Sequence, residues 1–303
     1  MRVKSNSYRY SKQHLKENAA ALMFFAPFGI LFLIFVIWPV LSAIYYSFTT
    51  FSVVQEPIWV GFKNYKYLIT QDDVFLKAMT NTLSMAFFSG VLGFIFSFFV
   101  AWAIDGVKGK MFFALAFYAP SITSGIAMSV VWLYFFSADS YGFINNLLIQ
   151  NGIIDSPLLW TKDPSLILFI VIFVSTWMGM GNGFLAFLSG FQNLQGEIME
   201  AAHIDGVNNR FQELIYVILP QMKPMLLFAA VNTVSGSFSV YAVPMTLAGS
   251  PGPENASLTL VGHMNDYAFN RLDYGYASTV AVVLFLITFL FGRLMFRILA
   301  SKK

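Results

Sequence analysis

The chain has 303 residues, 57% of them apolar and only 11% charged, with a formal net charge of +3. Soluble domains carry about 25% charged residues, so this composition excludes water as the main solvent for most of the chain. There is no cysteine, which excludes disulfides, thiolate metal sites and thiol nucleophiles.

Asp, Glu, Lys and Arg are missing altogether from Asn18–Gln55, Ala78–Ile104, Met111–Ala138, Pro164–Gly196, Pro224–Pro253 and Tyr274–Gly292. A helix needs about 20 apolar residues to cross a bilayer, and in lipid its backbone groups must bond within their own segment. The runs predict six transmembrane helices, roughly Ala19–Thr49, Asn81–Ile104, Met111–Phe136, Ser165–Ser189, Met225–Leu247 and Ala277–Leu299. Because they are apolar throughout, with no alternation over about 10 residues, a β-barrel is excluded. The apolar part of the first run, Ala19–Leu41, exceeds the core of about 7–15 residues in a secretory signal, and no small-residue cleavage site stands out. A retained helix is expected there. The fold class is thus an all-α integral membrane protein: one six-helix domain over 19–299, between tails at 1–18 and 300–303, with a polar loop at 192–222.

Orientation follows from the basic residues. Arg2, Lys4, Arg9, Lys12 and Lys16 precede the first run, Lys108, Lys110, Arg210 and Lys223 lie in alternate loops, and Arg293, Arg297, Lys302 and Lys303 follow the last run. The opposite loops hold only Lys63, Lys66, Lys77, Lys162 and Arg271. The positive-inside rule puts both termini and the 192–222 loop in the cytoplasm. Topology then accounts for the net charge, and no nucleic-acid partner is needed. Of the external loops, the first carries Trp59-Val60-Gly61-Phe62-Lys63-Asn64-Tyr65 and the second a short helix-like stretch, Tyr141–Leu148. Tyr8, Tyr10, Trp59 and Trp160 fit an interfacial aromatic belt. His263 and Asp266 are too isolated to suggest a metal site.

The 192–222 loop is the longest polar interruption. Leu194, Ile198, Ala201 and Ala202 share a helical face, with Glu197 and Glu200 beside it. Asp205-Gly206 is a turn signal that ends this helix. Phe211, Leu214, Ile215, Ile218 and Leu219 then repeat at amphipathic-helix spacing, and Pro220 and Pro224 break the chain before it re-enters the membrane. Two short helices joined by a glycine turn are expected, with His203 on the exposed side.

Glu200-Ala201-Ala202, two spacers, Asp205-Gly206 and then Leu219-Pro220 resemble the EAA signature of binding-protein-dependent ABC-transporter permeases. Ile37-Trp38-Pro39, Ser47-Phe48, Gly61-Phe62-Lys63-Asn64-Tyr65, Leu188–Leu194 and Tyr274-Gly275-Tyr276-Ala277-Ser278 are similar to the sugar-permease branch, typified by maltose and glycerol-phosphate permeases. The resemblance covers nearly the whole chain. It implies a type I importer core in the bacterial plasma membrane, in which Glu200, Ala201, Ala202, Asp205 and Gly206 form a coupling helix seated in a cytoplasmic ATPase. It also implies a second permease subunit, a different chain, two ATP-binding subunits that use ATP and Mg, and an extracytoplasmic solute-binding protein. One departure is the Asp205-to-Pro220 spacing, a residue longer than the family's, with the surplus assigned to Asn208 or Asn209. On a helix an inserted residue rotates all later positions by about 100°.

The chain has no phosphate loop of its own: Gly106–Met111 lacks the spacing and the final hydroxyl. Energy must come from a partner, and no cofactor or metal is expected in this chain. Polar groups inside the crossings are costly in lipid unless they face a cavity or a neighbouring helix. Two stripes qualify: Asn232, Ser235, Gly236 and Ser239 with Tyr241 on the fifth helix, and Trp177, Gly179 and Asn182 on the fourth. Hydroxyl-matching groups and flat aromatic faces suit a sugar, and the family's sugar contacts come from the corresponding stretches. Packing between helices is the competing role for each residue. An ion-coupled transporter would place charges in the membrane, and these six runs have none. A scaffold would have no use for the Glu200 loop, and the intramembrane-enzyme motifs are missing.

Overall fold

A computed structural model describes residues 12–299, with all their side chains except those of 12–20 and of Asn182. The tails and the belt residues Tyr8 and Tyr10 lie wholly or partly outside the described residues. Five helices are long and apolar enough to cross a membrane: Ala21–Tyr46, Asp73–Asp105, Pro164–Gln192, Lys223–Ala248 and Tyr274–Leu299. A bent pair, Lys110–Ile122 and Gly125–Phe135, stands in the place of the third expected crossing, giving five spans, or six when the pair is counted as one.

The bend corrects the single helix expected over Met111–Phe136. The two halves meet at 101°, with Thr123 and Ser124 in extended backbone. Pro120 has no N–H for the Ala116 carbonyl. Ser121 and Thr123 donate their hydroxyls back to the Tyr118 and Ala119 carbonyls, at 2.7 and 2.8 Å, which gives two carbonyls of the broken end a partner. The fifth crossing is also interrupted. Its α-helix stops at Phe238 and resumes over Ala242–Ala248. Pro244 leaves the Val240 carbonyl without its helical partner, and Thr259 Oγ1 donates to that carbonyl at 3.0 Å. In the first crossing, Pro39 is preceded by a wide π turn at Leu33–Ile37, the kind of local adjustment that accommodates proline in a membrane helix.

The fourth crossing is the centre of the bundle. Near its start Ile167, Val171 and Val174 are fully buried, and near its end Phe184 and Phe187 are. Phe187 meets Phe98 of the second crossing edge to face at 5.3 Å between ring centres. The second and fifth crossings touch where the side chain is missing: a Cβ on Gly90 would sit 2.8 Å from Ser237 Oγ. The first crossing is different, with none of its central window buried within the chain.

At the end of the bundle remote from Glu200, a two-stranded antiparallel hairpin, β1 (Thr49–Ser52) and β2 (Gln55–Trp59), pairs Thr49 with Trp59. Asn64 donates to the Ser47 and Thr49 carbonyls at 3.1 and 2.8 Å, and Tyr65 shares a hydrogen bond with Ser47 Oγ at 2.7 Å. This gives the Gly61–Tyr65 motif a structural role. Gly275 allows the start of the sixth crossing to lie against the Thr49 carbonyl, where any Cβ would collide. Beside it Asp72 caps the second crossing through the Phe75 N–H at 2.8 Å. The other Asp72 carboxylate oxygen accepts from Tyr276 Oη at 2.6 Å and lies 3.0 Å from His263 Nε2. His263 is therefore buried and paired, and Asp266 holds Arg271 at 2.8 Å. The expected helix in the second long loop forms at Phe143–Gln150. It is pinned by buried Asn145, which donates to the Ser137, Asp139 and Leu158 carbonyls and accepts from Trp160 Nε1.

Candidate functional site: the Glu200 helix and the cavity between the fourth and fifth crossings

Three residues after the fourth crossing the chain forms a helix over Gly196–Ile204. Glu197 in its first turn complements the helix dipole. Met199 packs inward against the cluster around Phe191 and Met222. Glu197, Glu200, Ala201 and Asp205 are exposed, and Ile204 is 87% exposed at the tip. Ala202 is half-buried. An apolar side chain left bare beside two small residues and three carboxylates makes a contact surface without a partner among the described residues.

The helix ends in a Schellman turn. Val207 N–H donates to the Ala202 carbonyl at 3.0 Å and Gly206 N–H to the His203 carbonyl at 3.2 Å. Gly206 sits at φ +93°, a left-handed conformation that glycine adopts without a Cβ penalty. His203 lies on the exposed side, as expected, with Nδ1 2.7 Å from the Val207 carbonyl oxygen.

Asn209 caps the second helix by accepting from Phe211 N–H at 2.9 Å. This helix runs through Arg210–Glu213, a π turn at Leu214–Ile218, and Leu219–Gln221. A π turn holds one residue more than an α turn. Here it keeps Leu214, Val217 and Ile218 buried on one side. Phe211 and Ile215, expected on that apolar face, are exposed. Phe211 instead lies edge-on to Trp102 at 5.6 Å, and the Arg210 guanidinium sits 5.9 Å from the same ring. The second helix is thus fastened to the end of the second crossing.

Within the bundle a cavity of about 230 Å³ opens between three crossings. Its lining is Ser89 from the second, Ser175 and Gly179 from the fourth, and Asn232, Thr233, Gly236, Ser237 and Val240 from the fifth. Of the two expected stripes, Gly179, Asn232 and Gly236 come together here. The others do not. Trp177 packs edge-on against Trp132 at 5.3 Å and faces an apolar groove shared with Phe96 and Phe173. Ser235 faces Phe285, Thr288 and Gly292 of the sixth crossing. Ser239 lies exposed past the helix end, bonded only weakly to the Ser235 carbonyl at 3.4 Å. Tyr241 donates to Asn265 Oδ1 at 3.1 Å, in a recess nearer the hairpin end. The Asn182 side chain lies outside the described residues.

Sequence reasoning missed Ser89, Ser175 and Thr233. Ser175 had a legible signal, since it is four residues before Gly179 and so on the same helical face. Ser89 had none beyond being a hydroxyl in a phenylalanine-rich run. Asn232 Nδ2 donates to the Phe228 carbonyl at 2.9 Å, Ser89 to Met85 and Ser237 to Val234. The Ser175 hydroxyl is buried and has no hydrogen-bond partner among the described residues.

The described residues form an α-helical bundle of five to six apolar spans with an acidic helix standing out of it and a polar recess inside. Residues 81–303 match the family of binding-protein-dependent transport system inner membrane components. The chain is 30% identical over 296 residues to a probable ABC transporter permease, YesP, of Bacillus subtilis, covering 97% of this chain and 94% of that protein. It is 28% identical to the arabinooligosaccharides transport system permease AraP of the same organism, covering 95% and 90%. A chain of a crystallised bacterial alginate ABC transporter superposes with a TM-score of 0.81 at 20% identity, covering 97% of this chain and all of that one. The protein belongs to the binding-protein-dependent ABC permease family and is a multi-pass inner-membrane component of such a system.

Proposed function

We propose that this chain is the permease subunit of an ATP-driven importer for a carbohydrate, an oligosaccharide in the first instance, and that it performs no chemistry itself. Both termini and the Glu200 helix face the cytoplasm. Glu200, Ala201, Ala202, Asp205 and Gly206 seat in an ATP-binding partner, which uses ATP and Mg, and carry its closing motion to the crossings. A second permease subunit, a second ATP-binding subunit and an extracytoplasmic solute-binding protein complete the assembly. The sugar-transporting relatives support the cargo class, though arabinooligosaccharides are neutral and alginate is an acidic polysaccharide. The family alone therefore leaves the charge of the cargo open.

One observation carries this reading: the bare carboxylate face of the Glu200 helix directly follows the crossing that lines the polar cavity. Glu200→Lys tests it, since reversing a charge at a contact surface costs attraction and adds repulsion. The variant should insert normally but fail to retain its ATPase on purification, and uptake should be lost. Normal uptake by Glu200→Lys would refute the coupling role.

A further inference from the structure

We propose that the passage through this subunit takes a neutral glycan and discriminates against uronic-acid and phosphorylated ones; this rests on the carbohydrate reading above. The cavity is lined by hydroxyls, one amide, glycines and a valine. The three crossings that form it draw those residues from the wholly uncharged runs Ala78–Ile104, Pro164–Gly196 and Pro224–Pro253. No Lys, Arg or His lies within two helical turns of Ser175 or Asn232 along their own crossings. The recess is partly open, with Asn232 and Gly236 exposed. A carboxylate or phosphate moving past buried Ser175 would therefore give up part of its water without gaining a counter-charge from this lining, which disfavours the ion relative to a neutral group.

A neutral sugar faces the opposite situation. Ser175 is 8% exposed, its Oγ has no partner among the described residues, and it borders the cavity. A buried hydroxyl without a bond is one of the rare exceptions in folded proteins, and a glycan hydroxyl satisfies it in either sense, as donor or acceptor. Thr233 and Asn232 stand across the recess on the fifth crossing. Neutral hydroxyl and amide groups on facing walls suit a polyol, whereas a uronate needs at least one cation.

The binding protein selects cargo before it reaches the membrane, so the test leaves it out. The permease assembly with its ATP-binding subunits, held in nanodiscs, is titrated with maltotriose and xylotriose, and separately with trigalacturonate and glucose 6-phosphate. Saturation-transfer NMR and calorimetry supply the readouts. The neutral trisaccharides should bind at least about tenfold more tightly than the anions, a margin within reach of one unpaired charge. Ser175→Ala should weaken neutral binding, while Asn232→Lys should narrow or invert the preference. Equal or tighter binding of trigalacturonate or glucose 6-phosphate by the unaltered protein would overturn the inference and leave the carbohydrate reading standing. Binding of none of the four would overturn both.

Discussion

Replacing Gly206 by Ala isolates a single backbone effect. Gly206 is at φ +93°, and an added Cβ would have no atom within 4 Å, so neither a clash nor a lost contact contributes. What remains is the cost of holding an L-residue in a left-handed conformation, about 1–2 kcal/mol. That amount shifts a local equilibrium by a factor of about 5–30. The turn it opens holds the Val207 N–H on the Ala202 carbonyl and the position-206 N–H on His203. Hydrogen exchange read by mass spectrometry should therefore speed up at positions 206 and 207 by about that factor. Protection elsewhere in the bundle should be unchanged. Gly206→Asn should lose less, because asparagine visits this region more readily. Uptake should fall in the same order, at constant amounts of protein in the membrane. Native exchange in Gly206→Ala, or a larger loss in Gly206→Asn, would refute the reasoning.

Gly275→Ala forces a methyl into the Thr49 carbonyl and should lower stability by about 1–3 kcal/mol, read as a lower unfolding midpoint in detergent. Gly292→Ala, with open space around its Cβ, should be neutral or slightly stabilising, so equal losses in the two variants would sink the packing argument. The Asp72–His263 pair makes the hairpin end acid-sensitive. Burial pushes His263 below its ordinary value near 6.5, although Asp72 pulls the other way. Burial raises Asp72, but Tyr276, the Phe75 N–H and His263 together hold it below the usual 3.8. Both folded-state values lie below the unfolded ones, so the folded protein binds fewer protons and loses stability as pH falls. The loss begins below about pH 6.5 with His263, and His263→Gln should flatten the thermal midpoint between neutral pH and that of Asp72 titration; an unchanged slope would count against the pair. Asn232→Leu should alter sugar affinity or turnover while ATPase retention persists, and unchanged kinetics for every sugar tried would remove Asn232 from the passage.

The six crossings were legible because lipid imposes a one-dimensional rule: a charge-free run of sufficient length must be helical. That rule is blind to bends. Pro120 and Pro244 were visible as letters, but whether the freed carbonyls find hydroxyls decides if the helix continues, and the Thr259–Val240 bond joins residues from different segments. The Glu200 helix and its glycine stop were readable because capping is local. The cavity was only half readable. Spacing on one helix predicts a face, yet which neighbour that face meets depends on contacts such as Gly90 against Ser237. So Asn232 and Gly236 met Gly179, while Ser235, one position before Gly236, turned to the sixth crossing. His263 looked isolated because its partner Asp72 lies 191 residues away in the chain.

That last cluster gives the molecule two unlike ends. Around Asp72, the start of the second crossing is tied by short bonds to His263 and Tyr276 beneath a hairpin, whereas at the far end the acidic helix packs on the bundle through Met199 and the helix after it through Phe211 against Trp102. A rod clamped at one tip and loose at the other swings when pushed; it does not slide. Under the coupling proposed above, a push at Glu200 would produce its widest travel near the point of delivery and taper toward the clamp, with the serine-lined hollow part-way along the arc.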